Sequence, residues 1–216
     1  MVTTSAALRV FVLGATGGTG RALVDQALAR GHRVTAFVRS PDKLGALRDC
    51  VTVRQGDPRS ADELVAALPR HDAVVSALGP PGTGRTTILG DSARALVSAM
   101  QSVGVQRLLV VSAGMLFADA GVLGAILQRT FLRNVAKDSL EMEHVIVASG
   151  VAWTIVRPPR LTSGALTGSY NVADARLPPG RGSISRADVA RFMLDELAER
   201  AHVHRIVGMA GAKRSA

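Results

Sequence analysis

Leu13-Gly-Ala-Thr-Gly-Gly-Thr-Gly20 sets glycines at Gly14, Gly17 and Gly20 between an apolar run ending at Leu13 and a helix-like run starting at Arg21. Each glycine answers a different demand of a phosphate cradle. A tight turn needs Gly14, close backbone approach to a pyrophosphate needs Gly17, and close helix-to-strand packing needs Gly20. The helix that follows adds free N–H groups and the positive end of its dipole, which attract an anion. Glycines at this spacing also occur in turns that hold no ligand. Strand, turn and helix in that succession point instead to a dinucleotide.

A second group of candidates lies about twenty residues further on, where such a site reads the adenosine ribose. The run Arg33–Val38 (RVTAFV) reads as a strand and is followed by Arg39-Ser-Pro-Asp-Lys43, with no acid at the strand's end. An Asp or Glu there would hold the ribose 2′-hydroxyl and repel a 2′-phosphate. Arg39 instead offers a forked donor, with Ser40 and Lys43 beside it, which favours NADP(H) over NAD(H); the plain alternative is a set of solvated loop charges. Asp57, before Pro58, either accepts a hydrogen bond from the adenine amino group or is an ordinary turn residue. In the loop after the fourth strand, Arg85, Thr86 and Thr87 either contact phosphate or substrate or belong to a long connection shaped by its glycines and prolines.

These groups need elements to position them. Apolar runs at 8–13, 33–38, 51–55, 73–77, 108–111, 153–156 and 203–208 read as strands, and 21–30, 61–68, 91–103 and 134–149 as helices. Ser185 opens a further helix, with Asp188 at capping-box spacing. The alternation predicts an α/β fold, a doubly wound, mostly parallel Rossmann sheet with helices on both faces. Ligands of such sheets bind outside the carboxyl ends of the strands, where strand order reverses, here between the first and fourth strands. The expectation is a single domain over 1–216, with the substrate pocket formed by about 113–185.

Composition narrows the classes. With 216 residues, 47% hydrophobic and 20% charged, the chain fits one compact domain. Its single cysteine, Cys50, excludes an internal disulfide and reads as a small buried apolar residue before a strand. The net charge of +9 comes with only 3% aromatics and no long Lys/Arg block, which favours a basic surface attracting anionic small molecules over nucleic-acid binding. The apolar stretch 108–127 contains Asp119 and several glycines and begins like a buried strand, and no basic leader opens the sequence, so a soluble, cytoplasmic protein is expected. His202 and His204 alternate on the expected last strand, and without a third ligand they suggest no metal site.

Further segments carry a family likeness: Val38-Arg39 with Lys43, Gly56-Asp57, Asp72-Ala-Val-Val75, Val111-Ser-Ala113, Arg157-Pro-Pro159, Leu166-Thr-Gly-Ser-Tyr170, Ile184-Ser-Arg-Ala-Asp188 and Phe192-Met-Leu194. Together with the glycine turn, they make nearly the whole chain resemble an atypical short-chain dehydrogenase/reductase. More narrowly it is similar to the biliverdin reductase B / flavin reductase group within the NmrA-like NAD(P)-binding proteins. The resemblance implies that Gly14, Thr16, Gly17, Gly18, Thr19 and Gly20 hold the pyrophosphate. It gives Arg39, Ser40 and Lys43 the 2′-phosphate and Asp57 the adenine. Leu78 and Gly79 would lie along the middle of the cofactor, and Ser112, Pro158 and Leu161 would border the nicotinamide. Relatives of this kind transfer a hydride from NADPH to flavins and, in some members, to tetrapyrroles.

Two departures bear on the chemistry. Ordinary short-chain dehydrogenases pair Tyr and Lys as Tyr-x-x-x-Lys, the Lys lowering the tyrosine pKa so that it protonates a carbonyl. Lys137 is present here, but Arg133 stands at the tyrosine position. The flavin-reductase relatives commonly carry His after Pro-Pro, where this chain has Arg160, a group that orients or neutralises an anion and exchanges no proton. Ser112, Lys137 and Arg160 are the candidate catalytic residues; Ser112 positions a substrate oxygen, bonds the nicotinamide amide, or merely satisfies nearby backbone. The apolar segment 115–132 is either a substrate lid or a packed helix. The expected activity is NADPH-dependent reduction of a flat conjugated acceptor such as a flavin, quinone or tetrapyrrole, aromatic or anionic, by a monomer or small homo-oligomer. The alternatives are a non-catalytic NADP(H)-binding sensor and a tailoring reductase or isomerase.

Overall fold

The apolar runs become strands because alternate side chains find cover on both sides. On β1 (Arg9–Leu13), Val10 and Val12 enter one buried cluster and Phe11 and Leu13 the other, so the strand is buried on both faces. The computed structural model describes residues 6–80, 82–117 and 133–213. After β1 come α1 (Gly18–Ala29), β2 (Arg33–Val38), β3 (Thr52–Gln55), α2 (Ala61–Ala67), β4 (Ala73–Ser76) and α3 (Ile88–Val103). There follow β5 (Arg107–Val111), α4 (Arg133–Val147), β6 (Ala152–Arg157), β7 (Arg160–Thr162), β8 (Tyr170–Asp174), β9 (Ser183–Ser185), α5 (Arg186–Glu199) and β10 (Arg205–Gly211). Pro41–Cys50 and Gly114–Leu116 are 3-10 segments.

The main sheet has eight strands in the order β3-β2-β1-β4-β5-β6-β10-β8. Its ladders are parallel up to β10, and β8 closes the edge antiparallel to β10. β7 and β9 form a small separate parallel pair. α1 and α5 cover one face through Leu23, Val24, Ala27, Val189 and Met193. α3 and α4 cover the other through Leu96, Met100, Met142 and Ile146. The fold is therefore the doubly wound α/β arrangement, with strand order reversing between β1 and β4.

Some expectations are corrected. The last strand starts at Arg205, not at 203, because residues 201–204 form a turn in which His204 takes a positive φ of 58°. His202 and His204 therefore share no strand face. His202 Nδ1 lies 2.8 Å from Glu196 Oε2, and His204 packs edge-on against Trp153. Cys50 is exposed at the end of its 3-10 segment instead of buried. The 158–185 region, rich in Pro and Gly, holds β7, β8 and β9, which have too little hydrophobic period to be read as strands. Most of the 115–132 segment, with the lid-or-helix question and Asp119, lies outside the described residues. Among the described residues no helix is long and apolar enough to cross a membrane. None of their His, Cys, Asp and Glu side chains group as a metal site.

Candidate functional site

The glycine turn joins β1 to α1 at the carboxyl end of the sheet. Gly14 has φ +78°, and a Cβ there would lie 2.5 Å from the Ala77 carbonyl oxygen that follows β4. A Cβ on Gly20 would lie 2.0 Å from the Gly14 carbonyl oxygen, so α1 sits directly on the turn. Gly17 is different: its Cβ would meet only the Gly14 oxygen, at 3.4 Å, and the residue is exposed. The outer glycines allow packing inside the protein, and the middle one faces open space. The Gly17 N–H donates to Gly14 O at 3.0 Å and closes the turn.

Gly17 is also the N-cap of α1, without a side-chain cap, and no acid lies in the first turn. The starts of α2, α3 and α5 are finished from within the protein. Ser60 Oγ accepts from Glu63 N, Asp138 accepts from Leu89 N and Gly90 N, and Ser185 Oγ accepts from Asp188 N. No such partner takes the N–H groups of Gly18, Thr19 or Gly20 among the described residues. An open helix start beside an uncrowded glycine fits the pyrophosphate of a dinucleotide.

The second group of candidates lies on a segment physically tied to this turn. Arg21, in the first turn of α1, donates from Nε to Thr16 O at 3.3 Å, from Nη1 to Leu44 O at 3.1 Å, and from Nη2 to Lys43 O. Arg39, Ser40 and Lys43 are exposed around the same segment, with their side chains turned to solvent. Sequence reasoning passed over Arg21 as the first residue of an ordinary helix. Asp57 is held by Arg59, whose Nη2 lies 2.6 Å from Oδ2 and whose Nε lies 3.0 Å from Oδ1. Hydrogen bonds from the Arg59 side chain and backbone, outweighing a small cost of burial, hold the Asp57 carboxyl down at about 2. Both carboxylate oxygens are engaged by Arg59 within the turn, and each keeps a further lone pair that an adenine amino group could use.

At the other end, Leu78 is half-buried against the core and Gly79 is exposed, with nothing within 4 Å of a Cβ built there. Ser112 leaves β5 with its N–H on Val156 O at 2.7 Å. Its hydroxyl donates to the carboxylate of Glu143 in α4. Glu143 is 2% exposed and accepts from Arg157 Nε at 2.9 Å and from Arg157 Nη2. The Arg157 guanidinium lies 4.7 Å from the centre of the Phe117 ring. Pro158 is buried and receives the Gly114 N–H at 2.7 Å, while Leu161 is half-buried against the core.

The candidate catalytic residues share no hydrogen bond with one another among the described residues. Ser112 joins Glu143, Arg160 is exposed at the start of β7, and Lys137 is exposed on a cavity of about 660 Å³ between α3 and α4, near Arg85, Arg94, Arg133 and Glu141. Lys137 precedes Glu143 by six residues, which places the two about 120° apart around the helix. The buried face of α4 carries Ala136, Asp138, Ser139, Met142, Glu143 and Ile146, and Lys137 lies outside it. Sequence reasoning missed Glu143 and Arg157. The available signal was a carboxylate on the apolar stripe of a helix that ends beside a strand closing with Arg.

The segments 166–170 and 184–188 come together around Asp188. Its carboxylate accepts from Thr167 N at 2.8 Å, Gly168 N at 2.9 Å, Thr167 Oγ1 at 2.9 Å and Ser185 Oγ at 2.8 Å. Burial pushes its carboxyl up, but the hydrogen bonds from Ser185, Gly168 and Thr167 outweigh this and hold it below the ordinary range. Next to it, Arg186 reaches over the cradle: a Cβ on Gly18 would lie 2.7 Å from Arg186 Cδ.

A family model described as NAD(P)H-binding matches residues 14–200. An uncharacterised chloroplastic protein of Arabidopsis thaliana is 31% identical over 215 residues, 92% of this chain and 75% of its own. The uncharacterised sugar epimerase YhfK of Bacillus subtilis is 29% identical over 200 residues, 89% of each chain. Among solved structures, a Lactobacillus casei protein superposes with a TM-score of 0.81 at 27% identity, covering 95% of this chain and 100% of its own.

Proposed function

This chain belongs to the NAD(P)H-binding family, and from that premise we propose that it is an NADPH-dependent reductase of a flat conjugated acceptor, in the manner of the flavin reductases. The observation that carries this reading is the open start of α1, with Arg39 and Lys43 on a segment bound to the same turn through Arg21. Gly14, Thr16, Gly17, Gly18, Thr19 and Gly20 would hold the pyrophosphate, and Arg39, Ser40 and Lys43 the 2′-phosphate. Asp57 would meet the adenine, Leu78 and Gly79 would lie along the middle of the cofactor, and Ser112, Pro158 and Leu161 would border the nicotinamide. When bound, the reduced nicotinamide supplies a hydride. The chain's own part is to hold and orient: Ser112 is fixed by Glu143 and by β6, and the exposed Arg160 favours an anionic acceptor. In the same reading, one cytoplasmic domain, monomeric or in a small homo-oligomer, carries both the cofactor and the acceptor.

The name of YhfK favours a second reading, an epimerase. That chemistry needs an acid and a base on the reacting carbon. Arg133 at the tyrosine position counts against it.

Steady-state NADPH oxidation with flavin mononucleotide tests the reductase. Acceleration by flavin supports it; tight NADPH binding without oxidation by any flavin, quinone or tetrapyrrole overturns it in favour of a cofactor sensor. The cofactor choice is tested by titrating Arg39→Ala with NADPH and NADH. NADPH affinity is expected to fall by about tenfold, the worth of one charge-assisted contact, with NADH unchanged. An unchanged preference removes Arg39 from the 2′-phosphate.

A further inference from the structure

A serine hydroxyl has one hydrogen to give and two lone pairs with which to accept. In Ser112 the hydrogen is already used: Oγ donates to Glu143, a carboxylate that can only accept. Glu143 cannot turn away. It is 2% exposed, both its oxygens receive N–H groups of Arg157, and Arg157 is itself 8% exposed and stacked over Phe117. The Ser112 backbone is fixed as well, through its N–H to Val156 O.

The other buried Arg–Glu pair among the described residues, Arg107–Glu196, makes the contrast. There the carboxylate receives Arg107 Nη2, the His202 N–H and the His202 ring, and no hydroxyl at the carboxyl end of the sheet is involved. The Glu143–Arg157 pair is the one whose bonding reaches a half-exposed hydroxyl at that end.

We propose that Glu143, locked by Arg157, is a positioning residue that makes Ser112 a hydrogen-bond acceptor only. Ser112 then selects an N–H donor, the carboxamide of the nicotinamide, and is unable to donate to a substrate carbonyl. The inference rests on the nicotinamide lying at Ser112, and it narrows the acceptor: reduction at this site cannot rely on Ser112 to stabilise a developing alkoxide. Acceptors that take a hydride on a ring nitrogen or conjugated carbon, with the proton from solvent, suit such a serine.

The test is calorimetric titration with NADP⁺ and with its 3-acetylpyridine analogue, in which an acetyl group that can only accept replaces the carboxamide. Wild-type protein should bind NADP⁺ about tenfold more tightly than the analogue, the worth of one hydrogen bond and one lone-pair conflict. Ser112→Ala should bring the two within about twofold. In Glu143→Gln the side-chain amide can donate to Ser112 Oγ, which frees the hydroxyl hydrogen, so the preference should shrink to parity or reverse. Glu196→Gln alters the other buried pair and should keep the wild-type ratio. A tenfold preference that survives in Ser112→Ala, or wild-type protein that binds both ligands equally, overturns the inference while leaving the cofactor reading intact. If NADP⁺ does not bind wild-type protein, both fall. A tenfold preference that survives in a folded Glu143→Gln also overturns the inference, and should that variant not fold, Glu143→Asp, whose shorter side chain draws the carboxylate back from Ser112 Oγ, takes its place with the same expected loss of preference.

Discussion

α1 and α5 lie side by side on the same face of the sheet, bridged by the Gln26 side chain donating to Ala187 O, yet their first turns are finished in opposite ways. α5 begins with Ser185 and carries Asp188 in its first turn, and both side chains are buried and bonded to the backbone around them. α1 begins with a glycine, has no side-chain cap and contains no acid in its first turn. α3 sides with α5, since Asp138 of a neighbouring helix takes two of its N–H groups. A carboxylate or hydroxyl at a helix start stabilises the helix by roughly 1 kcal/mol over alanine and by a few tenths over glycine, so leaving it out has a small cost. That cost at α1 becomes understandable if a ligand's phosphate does what Asp188 and Asp138 do elsewhere.

The contrast can be broken at several points. Gly20→Val should have the largest effect, because its side chain would collide with the Gly14 carbonyl and push α1 off the turn. We expect a loss of about 3 kcal/mol or more in urea unfolding together with loss of cofactor binding. If binding survives at wild-type strength, the turn is not the cradle. Asp188→Asn comes next, at about 2–3 kcal/mol, because an amide cannot accept all the donors aimed at that position. The folded carboxyl lies below its unfolded value of 3.8, so its stabilisation is complete above that value and disappears as pH falls through the folded one. The stability gap between wild type and Asp188→Asn should thus be full at neutral pH and close on acidification below about pH 4. A gap independent of pH would show that the carboxylate charge is irrelevant.

Asp138→Ala should cost about 1–2 kcal/mol by uncapping α3, with NADPH affinity preserved. The smallest stability change is the sharpest test. Gly17→Asp would turn α1 into a helix of the α3 and α5 kind, at a position whose extended backbone and open surroundings accept a side chain. We expect stability to rise by about 0.5 kcal/mol while NADPH affinity drops at least about tenfold, since a carboxylate would occupy the place of the phosphate. A parallel change in both quantities would abolish the distinction between the two kinds of helix start.

Much of this was legible in the chain. Continuous apolar runs such as Ala73–Ser76 and Arg107–Val111 are what strands buried on both faces require, and the glycine turn and the Ser185–Asp188 cap have local chemistry that tertiary context did not override. Arg39, Ser40 and Lys43 were legible as residue types, but not the attachment of their segment through Arg21, because a guanidinium that binds backbone carbonyls leaves no sequence pattern. β8 escaped for a related reason: its pairing with β10 comes from long-range ladder bonds, with little apolar alternation in Tyr170–Asp174. Lys137 was chosen by its place in a motif, and the phase of α4 leaves it exposed, outside the buried face that carries Glu143. Glu143 is the reverse case, a charged residue that looks like solvated surface until the phase of α4 puts it beside Ala136, Ser139 and Ile146.

Arg21 has one more consequence. By bonding Thr16, Lys43 and Leu44 carbonyls, it ties the glycine turn and the segment after β2 to each other before any ligand arrives. The entropy of ordering that loop is spent during folding, and little is left to subtract from the affinity of whatever anion enters.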